Sequence, residues 1–364
     1  MLKIILLLHF LITSAPSYSY NMLFFYKITP ENPPIFHTDF QFHHQQLCSP
    51  VIKDHKVYQG MQDGLILSQD IETKRILWEY HVIGQPTGVA YNNNIIIFTT
   101  LKGNIYALNM DKGGLLWSYD THKEILAKPV IQNDNLYIQT SLDTLYAFNV
   151  NDGTLNWQYT SKNVLEGLVV HMTPAPYISK NVLYTGFSNG DAVAFDTRTG
   201  SILWTHKPAT VKQFQDITVQ PVGNNSIVIF SSYDNGLMCL NKKDGTMVWE
   251  RNDLKRTVAM FLTKNAVYAG LVDGNMYRLD IRTGDTIWKQ SIGSDSTIYI
   301  PGEFQTLLVL GIGENTNKGI ILMNEENGQI MKHFSIVSGL SSSPLIEDNK
   351  IYATSNGGFL YSFQ

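Results

Sequence analysis

The sequence predicts an all-β chain, an eight-bladed β-propeller of four-stranded antiparallel blades. The ring is closed by an N-terminal strand that completes the last blade. Three observations predict it: tryptophans at a near-constant interval, one turn motif repeated before each of them, and two chain ends that complement each other. The six tryptophans are Trp78, Trp117, Trp157, Trp204, Trp249 and Trp288, at intervals of 39, 40, 47, 45 and 39 residues. A period of about 40–45 residues points to a propeller or array.

The turn motif explains the interval. Gly113, Gly153, Gly200, Gly245 and Gly284 each stand four residues before a tryptophan, and Lys74 holds that place in the first unit. Four residues earlier again stand Asp70, Asn109, Asn149, Asp196, Asn241 and Asp280. A seventh unit keeps Asn324 and Gly328 but has Lys332 at the tryptophan position. An Asp or Asn can cap the turn N–H groups while glycine takes the positive φ. The recurring acids are therefore turn devices rather than a metal-binding row.

Each unit reads as strands. "VLYTGF" (182–187), "AVAFD" (192–196) and "SILWTH" (201–206) alternate at period two and are rich in β-branched and aromatic residues. A hairpin at Asn189-Gly190 joins the first two, with equivalents at Asp63-Gly64, Lys102-Gly103, Asn235-Gly236 and Asp273-Gly274. A further short strand precedes each unit, usually opened by proline: Pro50, Pro86, Pro129, Pro174, Pro221 and Pro344. Four antiparallel strands make a propeller blade. At the C-terminus, "KIYATSNGGFLYSFQ" (350–364) lacks an outer strand. The segment "NMLFFYKI" (21–28) aligns with "RILWEYHV" (75–82), Leu23 on Leu77, Phe24 on Trp78 and Tyr26 on Tyr80. It reads as the missing strand, giving eight blades and removing the open edge.

The N-terminus differs. Lys3, the apolar run 4–12 and the small residues Ser17 and Ser19 read as a secretory signal peptide over 1–19, with one propeller domain over 20–364. An uncleaved membrane anchor is the alternative. Hydrophobic residues are 44% of the chain, charged residues 16% and the net charge −4. That permits a large core and argues against nucleic acid as a partner. His37, His43 and His44 have no further ligand at a useful spacing, so no metal site is expected. No Ser/His/Asp or paired-carboxylate constellation is legible either.

Loop lengths give a candidate site. Trp157 to Pro174 and Trp204 to Pro221 each span 17 residues, against 8 from Trp78 to Pro86 and 12 from Trp117 to Pro129. The surplus lies in two successive connections, 158–173 and 205–220, side by side on one face of the ring. Long neighbouring loops on a rigid scaffold are where binding concentrates.

Units such as "AFDTRTGSILW" (194–204) resemble the repeat of the quinoprotein-type β-propellers. The resemblance covers essentially the whole chain after the N-terminal segment. It implies that the six tryptophans are structural ties, each docking on the turn of the next blade. It also puts Cys48 in the first blade and Cys239 in the fifth, too far apart to pair, since a bridge needs Cα atoms within about 7 Å. One branch of the superfamily holds pyrroloquinoline quinone and calcium. Its inserted active-site segments and adjacent cysteine pair are absent here, so no cofactor and no enzyme activity are expected. The closer resemblance is to BamB, the assembly-factor family of the bacterial outer membrane. This implies a central barrel-assembly protein (BamA-like) as partner, with nascent β-barrel proteins as further clients. The family's Leu-x-Leu-Arg stretch falls on Leu168, Val170 and His171, and its Asp-x-Asp pair on Asp216 and Thr218. His171 and Thr218 depart from the pattern, which weakens charge pairing. Val170 and Asp216 are expected to be exposed; Leu168 and Val170 packing under their own loop is the alternative. No cysteine lies in 14–22 to carry a lipid. The expected place is thus the periplasm, at the inner face of the outer membrane through the partner. A quinone dehydrogenase-like protein, or a scaffold for another envelope protein, is the alternative reading.

Overall fold

Eight four-stranded antiparallel sheets make up the fold in the computed structural model. It describes 22–27 (backbone path) and 48–364, without 162–171, 210–213, 294–296, 314–316, 337, 341 and 357–358. The signal-peptide reading of 1–19 and the histidines at 37, 43 and 44 lie outside the described residues. Blade 1 runs from its inner to its outer strand as Val51–Lys53, Lys56–Gly60, Leu65–Asp70 and Ile76–His81. Six blades repeat that order. Blade 8 takes Leu345–Glu347, Lys350–Thr354 and Phe359–Phe363 from the C-terminus and Met22–Lys27 as its outer strand. The expected closure is present.

The core is not one cluster. Eight buried apolar clusters each combine two neighbouring blades, among them Leu65 and Leu67 of blade 1 with Tyr352 and Leu360 of blade 8. Each blade buries both faces on its neighbours, as a blade must, since it has no core of its own. Towards the axis the blades converge. Gly60, Gly186 and Gly311 stand where a Cβ would lie 2.4–2.6 Å from Pro86, Ile217 and Pro344 of the following blade.

The repeated turn behaves as one device. Asp196 Oδ1 accepts from the N–H groups of Arg198 and Thr199 at 2.9 and 3.1 Å, and Asn109 Oδ1 does the same for Asp111 and Lys112. The turn glycines have φ of 68–76° and Lys74 has 61°. The tryptophan of each preceding blade lies against that glycine. A Cβ on Gly245 would be 2.6 Å from Trp204, and one on Gly113 2.5 Å from Trp78. The indole N–H then donates to a carbonyl of the same turn. Trp78 reaches Met110 O at 2.9 Å, Trp117 Val150 O at 2.9 Å and Trp157 Thr197 O at 2.9 Å. Trp204 reaches Lys242 O at 3.0 Å, Trp249 Ile281 O at 3.0 Å and Trp288 Glu325 O at 2.9 Å. A large apolar face plus one satisfied donor suits tryptophan in particular.

Candidate functional site

The two long connections run from Thr160, the end of blade 3, to Tyr177 of blade 4, and from His206 of blade 4 to Val222 of blade 5. Both leave the face that carries the hairpins between the second and third strands. Leu168, Val170 and His171 lie outside the described residues. Asp216 and Thr218 are described, and Asp216 is not exposed as expected: the two residues are 3% and 4% exposed. They flank an isolated bridge that lies ahead of the inner strand of blade 5, Val222–Gly223. Ile217 bridges Ser232, Tyr233 N–H donates to Asp216 O at 2.9 Å and Thr218 N–H to Ser231 O at 3.4 Å. Pro221 stands directly before the inner strand Val222–Gly223, as read from the sequence, and the isolated bridge at Ile217 lies four residues ahead of it. The β-branched run Ile217-Thr218-Val219 is the signal that could have pointed to this bridge.

Asp216 instead lines a cavity of about 250 Å³ between blades 3, 4 and 5, together with Gln139, Asp143, Met172, Phe187 and Ile217. On its lining, Leu142 and Met172 are 52% and 39% exposed, apolar side chains standing in water. Sequence reasoning missed both. Leu142-Asp143 takes the hairpin position that Asp63-Gly64 and Asn189-Gly190 hold elsewhere, so an apolar residue in a turn was the available signal.

Asp143 is unusual beside it. Its φ is 51°, the conformation for which other hairpins use glycine. Its carboxylate accepts the N–H of Ser188 at 3.1 Å and also the Ser188 hydroxyl, both from the next blade. Burial pushes its pKa above the ordinary aspartate value; the Ser188 hydrogen bonds oppose this and the Asp191 charge adds to it. Lys123, also on the wall, spends its ammonium on Thr144 Oγ1 at 2.8 Å. A second cavity, of about 590 Å³, lies on the other side of the blade 4–5 connection, lined by His206, Lys207, Asp234, Met238, Met247 and Lys255 among others. The second connection is thus flanked by recesses with mixed apolar and charged walls. Recesses of this kind suit the side chains of a binding partner. A calcium ion would need several converging carboxylates, and among the described residues no three His, Cys, Asp or Glu groups converge on a common point.

Comparison with known proteins agrees with the geometry. The family described as "Outer membrane protein assembly factor BamB" matches residues 62–290, more than half of the chain. The Yersinia pestis protein of that description is 23% identical over 338 residues, covering 86% of this chain and 83% of the relative. The crystal structure of BamB from Moraxella catarrhalis superposes with a TM-score of 0.78 at 19% identity, covering 95% of this chain and 100% of that one. A quinohemoprotein alcohol dehydrogenase from Comamonas testosteroni shares the fold at a TM-score of 0.66 and 11% identity, covering 94% of this chain and 76% of that one. With eight blades, a ring tied by tryptophans and a family match over most of the repeats, the chain belongs to the BamB family of outer membrane protein assembly factors.

Proposed function

We propose that this protein is a non-enzymatic assembly factor for outer-membrane β-barrel proteins. It works in the periplasm, delivered by a signal over residues 1–19. It is held at the inner face of the outer membrane by a central barrel-assembly protein. The binding face carries the connections 158–173 and 205–220. Leu168, Val170 and His171 belong to this face by their place in the first connection. Asp216 and Thr218 support it from the buried segment ahead of the inner strand of blade 5.

The observation that carries the reading is the exposed apolar pair Leu142 and Met172 beside a recess between two long connections. A rigid platform with a small apolar anchor is the usual core of an interface. Removing the gene from its native bacterium and following heat-modifiable mobility of outer-membrane barrels tests it. The folded fraction is expected to fall, and to return with wild type but not with Leu142→Glu/Met172→Glu. Normal barrel assembly without the gene would contradict the proposal.

A further inference from the structure

We propose that Asp143 is a positioning residue that joins the two long connections into one unit through a hydrogen-bonded line across three blades. The line begins at Ser161, the first residue of the blade 3–4 connection, whose N–H donates to Asp143 O at 3.0 Å. The Asp143 carboxylate crosses to blade 4 and takes both the N–H and the hydroxyl of Ser188. One residue earlier, Phe187 O accepts the N–H of Ile217 at 3.2 Å, in the blade 4–5 connection. Asp216 and Tyr233 then pass the pairing into blade 5.

Two features make this line specific rather than generic hairpin bonding. Five other hairpins have glycine at the Asp143 position, Gly64, Gly103, Gly190, Gly236 and Gly274, with φ of 77–90°. Glycine has no side chain to reach the next blade. A left-handed aspartate costs more than glycine there, so the carboxylate needs an offsetting contact, and Ser188 supplies it. Second, Gly186 leaves no room between blade 4 and Ile217: a Cβ there would be 2.4 Å from Ile217 Cβ. Movement of the Phe187–Ser188 hairpin is therefore passed on to Ile217 rather than absorbed. The Asp143 carboxylate, Phe187, Asp216 and Ile217 share the wall of one cavity, so the line also fixes the recess between the connections. What the joined unit serves rests on the binding-face reading; the joining itself does not.

The experiment is amide hydrogen exchange on the folded, full-length mature protein, comparing wild type with Asp143→Gly, Asp143→Asn and Ser188→Ala. Glycine suits the backbone conformation and removes only the carboxylate. Losing a charged hydrogen bond predicts about tenfold faster exchange at Ser161, Ser188 and Ile217 together in Asp143→Gly, with other blades unchanged. Asp143→Asn, whose amide oxygen still accepts from Ser188, restores slow exchange. Ser188→Ala speeds exchange at Ser161 and Ile217 from the other end of the line, and serves alone should Asp143→Gly not fold. Faster exchange confined to Ser188, or spread evenly over all blades, would overturn the proposal. Partner recovery with Leu142→Glu/Met172→Glu tests the binding-face reading separately. If that variant binds like wild type, the reading fails while the exchange result still decides the role of Asp143.

Discussion

Gly245 and Lys74 occupy the same turn position in different blades, and what stands against them differs. Where Gly245 would carry a Cβ stands the Trp204 indole of blade 4; the blade next to that of Lys74 has Phe24, not a tryptophan, in the pairing register opposite Ser362. A Cβ on Gly245 has no space, so Gly245→Ala is expected to lose at least about 1–2 kcal/mol in urea unfolding, from the left-handed φ before any clash is added. Lys74→Gly meets no such limit and relieves a positive φ, so its stability is expected to stay within about 1 kcal/mol of wild type, on the stable side. Trp249→Ala is expected to cost about 3–5 kcal/mol, as for a buried aromatic whose donor is satisfied. The half-buried Trp117, Trp157 and Trp288 should cost less. These residues were legible in the sequence because each motif is local: turn acid, turn glycine and tryptophan lie within nine positions. Lys332 follows the same logic. In blade 8 no turn joins the third and outer strands, so an indole there would lack the docking turn that the other tryptophans have. Asp143 was not legible, because its partner Ser188 lies in another blade 45 residues away.

At the scale of strands, seven of the outer edges carry a bulge in one register, between Ser68 and Gln69 opposite Trp78 in blade 1 and at equivalent sites onward. The bulged residue and the one before it point outward: Ile76 and Leu77, Ile202 and Leu203, Met247 and Val248 are 40–52% exposed. A bulge twists the strand and disfavours pairing with another copy, which is how an apolar edge remains soluble. The outer strand of blade 8 has its shift between Met22 and Phe24, leaving Leu23 as the bulge. That reproduces the alignment of Leu23 on Leu77 read from sequence. The isolated bridge of Ile217 to Ser232, ahead of the inner strand of blade 5, was not legible because it depends on pairing that no local pattern reports.

The seam between blades 6 and 7 adds a pH dependence. Partial burial first, then the Glu325 carboxyl beside it, push Glu303 up to about 6, and Arg278 opposes. The fold therefore favours the protonated form. The stability this brings is present below the unfolded value of 4.5 and is lost as pH rises through about 6. Glu303→Gln is expected to melt higher than wild type at pH 7.5, with the gap closing as pH falls to 4.5. A gap independent of pH would contradict the assignment.

For the whole molecule, closure is the governing fact. Deleting residues 22–27 leaves blade 8 without its outer strand and opens the ring, so a large fall in melting temperature is expected. Cys48 and Cys239 report on the same cooperativity. Both are free and buried in different seams, and burial pushes both thiols up to about 12. A thiol-specific dye should react with neither in the native protein and with both in one phase on unfolding. The central claim is that this closed ring is a platform whose long-connection face binds a barrel-assembly protein. The most direct measurement is co-purification from detergent-solubilised envelope of the native bacterium, using tagged wild type and a folded Leu142→Glu/Met172→Glu variant. The account predicts that the barrel-assembly protein is recovered with wild type and lost with the variant. Equal recovery with both would place binding elsewhere on the ring. Its absence from a folded wild-type preparation would contradict the claim outright.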